Sequence, residues 1–238
     1  MIWSDYVKRI AGRAAAGLHM ALPGLHAGRA GILVYHRTAP CPPGLPEPAW
    51  NVSPERLRRQ LSGLGRCGFR FIALRQAVDA WEQGHALTPG TVVVTFDDVV
   101  ESAYRHAWPS LEELGGPATL FLSTAYLDSS EPFPFDEWGN ACRDRAPAEL
   151  YRPIRVEQLR AMLASGLIEI GAHTHTHGNF SGASQAFERD LRTCLDYLER
   201  VFGLERPFFA YPFGRIDHGT AAGSLETAAR KAGVRCAL

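Results

Sequence analysis

The chain is poor in cysteine, has almost no lysine, and carries no excess charge of either sign. Its 25 basic and 25 acidic residues cancel, and lysine occurs only at positions 8 and 231. The chain therefore lacks the basic footprint of a nucleic-acid-binding protein, and we expect no nucleic-acid partner. The cysteines are odd in number and never form a Cys-x-x-Cys pair, which argues against a disulfide framework and against a thiolate zinc site. They are Cys41, Cys67, Cys142, Cys194 and Cys236.

Long apolar runs are also missing from the first part of the chain. Residues 1–30 are rich in Ala, Gly and Arg, and their apolar stretches are broken by Arg13, His19, Pro23 and His26. Such a segment has neither the apolar core of a secretory signal nor the length of a membrane span. We predict an N-terminal helical extension over residues 1–30 and a cytoplasmic protein. An amphipathic helix could still give peripheral membrane contact.

The remainder, residues 31–238, reads as one α/β domain. With 46% hydrophobic and 21% charged residues, the chain can build a sizeable core. Strand-like segments alternate with helix-like ones, a pattern typical of parallel strands covered by helices, as in an α/β barrel or a doubly wound sheet. Strands are predicted at 31–35, 69–74, 91–96, 118–122, 167–171, 208–211 and 234–238. Helices are predicted from Pro54 onward and at 76–83, 104–114, 156–165, 187–202 and 224–232, with a long loop over 123–153.

Three histidines lie within five residues, directly after the apolar run 167–170. They are His173, His175 and His177. His173 and His177 share a face whether the segment continues as a strand or turns into a helix. A polar loop with incidental histidines is the simpler interpretation. Three alternating imidazoles favour a metal site instead, because protonating one disfavours protonating its neighbours.

Two adjacent carboxylates supply an acidic partner for these histidines. Asp97 and Asp98 follow the β-branched run 91–96, which reads as a buried strand. Adjacent side chains at a strand end point to different sides, so one carboxylate could bind a metal while the other acts as a base. Asp98 could also cap the following helix, although capping explains only one of the two.

Several polar or tight-turn segments share the same predicted position. His36, the two aspartates, the histidines and Tyr211 to Gly214 all follow predicted strands. Because the carboxyl ends of parallel strands meet at one face, these segments should converge there and form a site.

These segments resemble, in their order along the chain, the motifs of the polysaccharide deacetylases, also called the NodB-homology or carbohydrate esterase 4 family. Thr95-Phe96-Asp97-Asp98 is similar to the family's Thr-Phe-Asp-Asp-Gly motif, and His173-Thr174-x-x-His177 to its His-Thr-x-x-His motif. Further landmarks of the bacterial exopolysaccharide branch are matched by Tyr35-His36-Arg37, Val52-Ser53-Pro54-Glu55 and Phe209-Ala210-Tyr211-Pro212-Phe213-Gly214. The ordered set is specific, whereas each motif alone is weak.

The resemblance implies a distorted, incomplete (β/α) barrel that removes acetate from an N-acetylated amino sugar. A divalent metal, usually zinc, would be held by Asp98, His173 and His177, with Asp97 as general base. A backbone N–H near Phe213 would stabilise the oxyanion.

Contacts to the carbohydrate substrate are expected from the loop Phe133 to Trp138, which would shape the sugar pocket. We assign substrate binding to His36, Asp136, Trp138 and Tyr211. A lipid-linked substrate is compatible with the sequence, and the oligomeric state is left open.

Three departures from the family pattern bear on activity. Val99 replaces the glycine of the first motif, and a β-branched residue resists a positive φ. Ala210 stands where the family often has an arginine that orients the base, for which Arg206 or Arg215 could substitute. The final Leu-x-His motif, which supplies a general acid, has no match before residue 238. Candidates for that role are His36 and His218.

Two rival interpretations remain open at this point. The pair His173 and His175 resembles the His-x-His element of amidohydrolase-type barrels, which however place it after the first strand. Alternatively, the altered motifs are compatible with a catalytically impaired deacetylase-like protein that binds a glycan or a partner without turnover.

Overall fold

The computed structural model describes residues 28–238, so the predicted extension over residues 1–30 lies almost entirely outside the described part. The strands are β1 Ala30–Tyr35, β2 Arg37–Thr38, β3 Asn51–Val52, β4 Arg70–Phe71, β5 Thr91–Phe96, β6 Ala118–Leu122 and β7 Ile168–Ala172. The helices are α1 Pro54–Arg66, α2 Leu74–Glu82, α3 Trp108–Leu114, α4 Glu137–Ala141, α5 Val156–Ala164, α6 Ser184–Phe202 and α7 Ser224–Ala232. None of these helices is both long and apolar enough to cross a bilayer.

A parallel sheet forms the framework, with β5 at its centre. β5 pairs with β1 on one side and with β4 and β6 on the other, and β7 pairs with β6. All residues of β5 and β6 are buried, as expected for strands covered on both faces. The order of alternating strands and helices predicted from the sequence is therefore confirmed.

The last two predicted strands are present only as single bridges. Phe209 bridges Ala172 on one side and Ala237 on the other, both in parallel. The N–H of Phe209 donates to the carbonyl of Cys236 at 2.9 Å, and the N–H of Leu238 donates to that of Phe209 at 2.9 Å. The sheet thus curves onward beyond β7. Within residues 28–238 nothing pairs with the outer edge of β1, so the sheet does not close into a barrel, and the predicted incomplete barrel is confirmed.

Two segments differ from their prediction. The strand predicted at 69–74 is only two residues long, because Leu74 already begins α2 and the Gln76 side chain accepts the N–H of Ala73 at 3.1 Å. The loop predicted at 123–153 contains α4 and short 3₁₀ helices at Thr124–Tyr126 and Ala148–Leu150. These pieces surround a small apolar cluster of their own that includes Trp138 and Tyr151.

Local signals explain where several helices begin and end. The Ser53 hydroxyl accepts the N–H of Arg56 at 3.2 Å and Pro54 occupies the first turn, as predicted for α1. The segment Ala103–Ala107 is a π-helical turn that runs into α3. Pro109 has no N–H to donate back to residue 105, which favours this irregularity. Gly115 ends α3 in the left-handed conformation.

Candidate active site

Three side chains from two segments, those that follow β5 and β7, converge at the carboxyl end of the sheet. The Nε2 atoms of His177 and His173 lie 3.2 and 3.7 Å from Asp98 Oδ1. One ligand atom from each of the three residues falls within 4.8 Å of the others, and all three side chains are largely buried. The sequence assigned these residues to one metal site, and the fold brings them together.

Burial leaves both imidazoles suited to bind a metal, and a hydrogen bond orients the His173 ring. His173 Nδ1 donates to the carbonyl oxygen of Ala210 at 2.8 Å, which leaves Nε2 free to face Asp98. Burial, reinforced by His177, lowers the pKa of His173 to about 3. Burial lowers the pKa of His177 to about 4. Both rings are therefore neutral at physiological pH, and two neutral imidazoles with one carboxylate form a donor set that suits a divalent cation.

Asp97 occupies a different position from its neighbour. Its N–H donates to the Tyr35 carbonyl at 2.9 Å, while its carboxylate lines the cleft beside the three ligands. Burial raises the pKa of Asp97 to about 7. Burial raises the pKa of Asp98 to about 8, and the charges of Asp97 and Asp136 add to this. The Oδ1 atoms of both aspartates are buried without a hydrogen-bond partner, as expected where a cation completes the site.

The turn after the aspartates explains how Val99 is accommodated. The positive φ, 49°, belongs to Asp98, and Val99 adopts no left-handed conformation. Val99 is buried in the main core, and its carbonyl accepts the N–H of Ile154 at 3.1 Å. A β-branched residue at this position therefore carries no backbone strain.

Left-handed non-glycine residues concentrate around the site. Four of the six such residues in the described chain are Asp98, Thr174, His177 and Phe213, with φ values of 49°, 66°, 54° and 67°. Each costs free energy that the surrounding structure must offset, and such residues cluster where side chains are held for function.

His175 points away from the three ligands. Its Nδ1 contacts the Thr124 hydroxyl at 2.9 Å, and its N–H donates to Asp190 Oδ1 at 2.6 Å. Among residues 28–238, the group able to hold a metal includes His177 and not His175. The amidohydrolase-like pairing of His173 with His175 is therefore wrong.

The converging residues open into a cleft of about 910 Å³. Of the predicted substrate contacts, His36, Asp136 and Tyr211 line this cleft, as does Phe213. The Asp136 carboxylate is not free, because it forms a buried ion pair with Arg37 and accepts the Gly139 N–H at 2.8 Å as the cap of α4.

Trp138 was wrongly assigned to substrate binding. Its side chain is fully buried, and its indole N–H donates to the Pro46 carbonyl at 2.8 Å. The Arg37 guanidinium covers its ring at 5.0 Å. The tryptophan in the first turn of α4 packs inside the small apolar cluster that also contains Tyr151.

None of the residues Arg206, Arg215 and His218 lies where it could clearly take over the role of a missing motif residue. Arg215 lines the cleft but pairs with Asp217 at 2.7 Å, and Arg206 is exposed. Within residues 28–238, no arginine pairs with Asp97. His218 is exposed beside Asp217 and lies outside the cleft.

Sequence reasoning missed two residues of the cleft wall. Arg37 was noted only as part of a motif, and its buried pairing with Asp136 could not be inferred from spacing across 99 positions. Trp50 lines the cleft with 69% of its surface exposed and stacks on His36. The sequence signal that could have indicated a place in the cleft is the position of Trp50 close to the Val52-Ser53-Pro54 motif.

Comparison with known families shows which family the chain belongs to. The model of the family described as polysaccharide deacetylase matches residues 85–237. The chain belongs to this family. The matched region contains the two aspartates and both histidine ligands, so the deacetylase likeness covers the metal-binding group itself.

Curated relatives include the poly-beta-1,6-N-acetyl-D-glucosamine N-deacetylases of Staphylococcus aureus and Staphylococcus epidermidis. They are 26% and 24% identical over 177 residues, covering 71% of this chain. The chain spans about half the length of these relatives, 55%.

Solved structures place the chain among proteins of the same fold. IcaB from Ammonifex degensii superposes with a TM-score of 0.70 at 26% identity, over 87% of this chain and 82% of that one. A de-N-acetylase from Aggregatibacter actinomycetemcomitans superposes with a TM-score of 0.68 at 19% identity, over 87% and 86%. The second likeness concerns the fold alone.

Proposed function

We propose that this protein is a metal-dependent N-deacetylase that removes acetate from N-acetylglucosamine units of a polysaccharide. The observation that carries the proposal is the grouping of Asp98, His173 and His177 beside the unpaired Asp97 in one cleft. The named activity of the staphylococcal relatives supports the choice of polymer. We further propose zinc, since two imidazoles and one carboxylate with an open position are typical of catalytic zinc.

A divalent ion held there would polarise the acetyl carbonyl and make water a stronger nucleophile at neutral pH. Asp97 is the base in this proposal: its carboxylate lines the cleft next to the ligands and takes the proton of the attacking water. The left-handed turn at Phe213 and Gly214 brings backbone to the same cleft, where an N–H can stabilise the oxyanion.

His36 is the proposed general acid. Tyr35, the last residue of β1, pairs with Phe96, the last residue of β5. His36 and Asp97 each follow directly, so they lie side by side beyond the ends of these strands. His36 lines the cleft, and burial together with the neighbouring Arg37 lowers its pKa, so its protonated form gives up a proton more readily than a free imidazolium. The run Val34-Tyr35-His36 also has the apolar-x-His spacing of the motif absent from the end of the chain. Its proton would go to the amine as the C–N bond breaks, which releases acetate and a free amino sugar.

The decisive experiment measures acetate and free amine from β-1,6-linked N-acetylglucosamine oligomers, with zinc-loaded and chelator-treated protein side by side. We expect release by the zinc-loaded protein and its loss on chelation. Glycan binding without release by metal-replete protein would contradict the proposal and favour a binding protein without turnover.

Metal content provides a test that does not depend on activity, and a neighbouring histidine provides the matched control. Because His177 faces Asp98 and His175 faces Thr124, His177→Ala should lose the bound ion while His175→Ala keeps it. The measurement is elemental analysis after dialysis, and competition with Mn²⁺ and Co²⁺ tests the assignment to zinc. Metal loss in the His175 variant alone would overturn the ligand set.

A further inference from the structure

We propose that Trp50 is a stacking platform for the sugar unit next to the one that is deacetylated, so that the cleft holds a stretch of polymer instead of a single residue. The inference rests on the proposed function and extends it to a second position along the substrate.

The exposure and setting of Trp50 carry this inference. The side chain is 69% exposed although it lines the cleft. Its ring stacks on His36 with centroids 5.1 Å apart and planes 23° apart. One face of the indole is therefore covered by a residue of the proposed catalytic group, and most of the side chain remains exposed. Aromatic side chains that line a cleft are the surface on which ligand sites are commonly built.

The backbone that carries Trp50 is tied to neighbouring segments by hydrogen bonds. The Trp50 carbonyl accepts the N–H of Arg37 at 3.3 Å, and the N–H of Asn51 donates to Pro48 at 3.1 Å. The N–H of Ala49 donates to the Glu137 carboxylate at 3.3 Å, which ties this loop to α4. A loop whose backbone is held in place before binding loses less conformational freedom when a ligand stacks on the side chain it carries.

A second aromatic group lies beside His177. Phe135 and Phe213 contact the His177 ring, with centroids 4.4 and 5.0 Å away, and both are about half exposed. Trp50 instead contacts His36. Aromatic surface therefore occurs next to both His177 and the proposed acid, which offers a chain of sugars two apolar supports in the same cleft.

The chemistry of the ligand fits a flat aromatic surface. In a β-linked glucosamine unit the ring substituents are equatorial, so both ring faces present axial C–H groups. Such a face is apolar and planar, and it can cover an indole in the way that other flat groups stack on aromatic side chains. A deacetylated or an acetylated unit presents the same ring face.

The test is calorimetric titration of β-1,6-linked N-acetylglucosamine oligomers, from dimer to hexamer, into metal-free protein. Trp50→Ala should weaken binding of the longer oligomers by about tenfold, the loss typical of a truncated aromatic anchor. Trp50→Phe should restore part of it. Trp81→Ala is the matched control, since Trp81 is 73% exposed on α2 and does not line the cleft.

The outcomes separate the platform from the proposed reaction. Unchanged binding by Trp50→Ala would overturn the platform, even if that variant shifted the pH profile of turnover through His36. Weakened binding in Trp50→Ala alone would support the platform even if no acetate were released by the unmodified protein. Equal weakening in the Trp50 and Trp81 variants, or no binding by the unmodified protein, would overturn it.

Discussion

At the residue scale, two neighbouring aspartates acquire different chemistry from their backbone. Asp97 extends the run of β5 through its hydrogen bond to Tyr35, whereas Asp98 turns into the left-handed region. The change of direction takes the Asp98 carboxylate to the two histidines and leaves that of Asp97 unpaired in the cleft. One carboxylate can then bind a cation while the other stays free for proton transfer.

This difference predicts separable effects of two isosteric changes. Asp97→Asn should retain the metal and lose turnover by about a hundredfold or more, because a base is removed while the ligands remain. Asp98→Asn should weaken both, because the only carboxylate ligand becomes a neutral amide. Acetate release and elemental analysis of the same preparations measure the two effects.

Equal metal loss in the two aspartate variants would contradict this division. In that case both carboxylates would share the cation, and the base would have to be another residue of the cleft. Melting temperatures of both variants in chelator give the control for folding.

At the scale of elements, α6 holds the loop that carries His177. Asp190 on α6 accepts the N–H groups of His175 and Thr176 at 2.6 and 3.3 Å and the Thr176 hydroxyl at 2.6 Å. From the other side, the Tyr126 hydroxyl donates to the Thr176 carbonyl at 3.0 Å. Hydrogen bonds at residues 175 and 176 therefore hold the middle of the loop that leads to His177, independently of any bound metal.

Removal of this support should weaken metal binding without removing a ligand. We expect Asp190→Ala to lower the affinity for zinc by about tenfold, the loss typical of residues that orient metal ligands. Competition with a fluorescent zinc chelator measures it. Asp196→Asn, further along the same helix, is the control.

The same affinity in Asp190→Ala and in the unmodified protein would show that the loop keeps its shape without α6. A drop in melting temperature at unchanged zinc affinity would likewise contradict the positioning role and leave Asp190 with a purely structural one.

At the scale of the whole molecule, burying four titratable groups in one site makes stability depend on pH when no metal is bound. The pKa values of Asp97 and Asp98 are raised to about 7 and 8, so the folded state holds protons that the unfolded state has already lost. Stability from these groups is present at low pH and is lost as the pH rises through those values.

The histidines act in the opposite direction. Their pKa values are lowered to about 3 and 4 from 6.5, so the unfolded state binds more protons between these values, and stability rises with pH up to about 6.5. Above that pH, only the two carboxyl groups among these four still change the free energy of unfolding with pH.

Metal-free protein should therefore lose roughly 3 °C or more of melting temperature between about pH 6.5 and about pH 8. Zinc-loaded protein should lose less, because a bound cation stabilises the ionised carboxylates. Calorimetry across this range with and without chelator measures the difference. Identical pH dependence of the two forms would contradict the prediction, and Asp98→Asn should flatten the curve of the metal-free form.

Much of the architecture was predictable because local patterns report local structure. The buried run 91–96, the cap at Ser53 and the periodic apolar residues of α6 each act over a few positions, and each appears as expected. The family motifs also pointed to Asp98, His173 and His177, which the fold brings together. The loop before α5 was less predictable, because its short helices depend on packing around Trp138.

The sequence by itself determined the order of parallel strands and the residues at their carboxyl ends, because hydrophobic periodicity and strand polarity dictate which side chains meet at that face. Tertiary structure alone decided that His175 turns toward Thr124, that Trp138 is buried, and that Trp50 faces the cleft. Those outcomes depend on backbone angles and on contacts between segments far apart in the chain, and residue type and spacing carry no information about either.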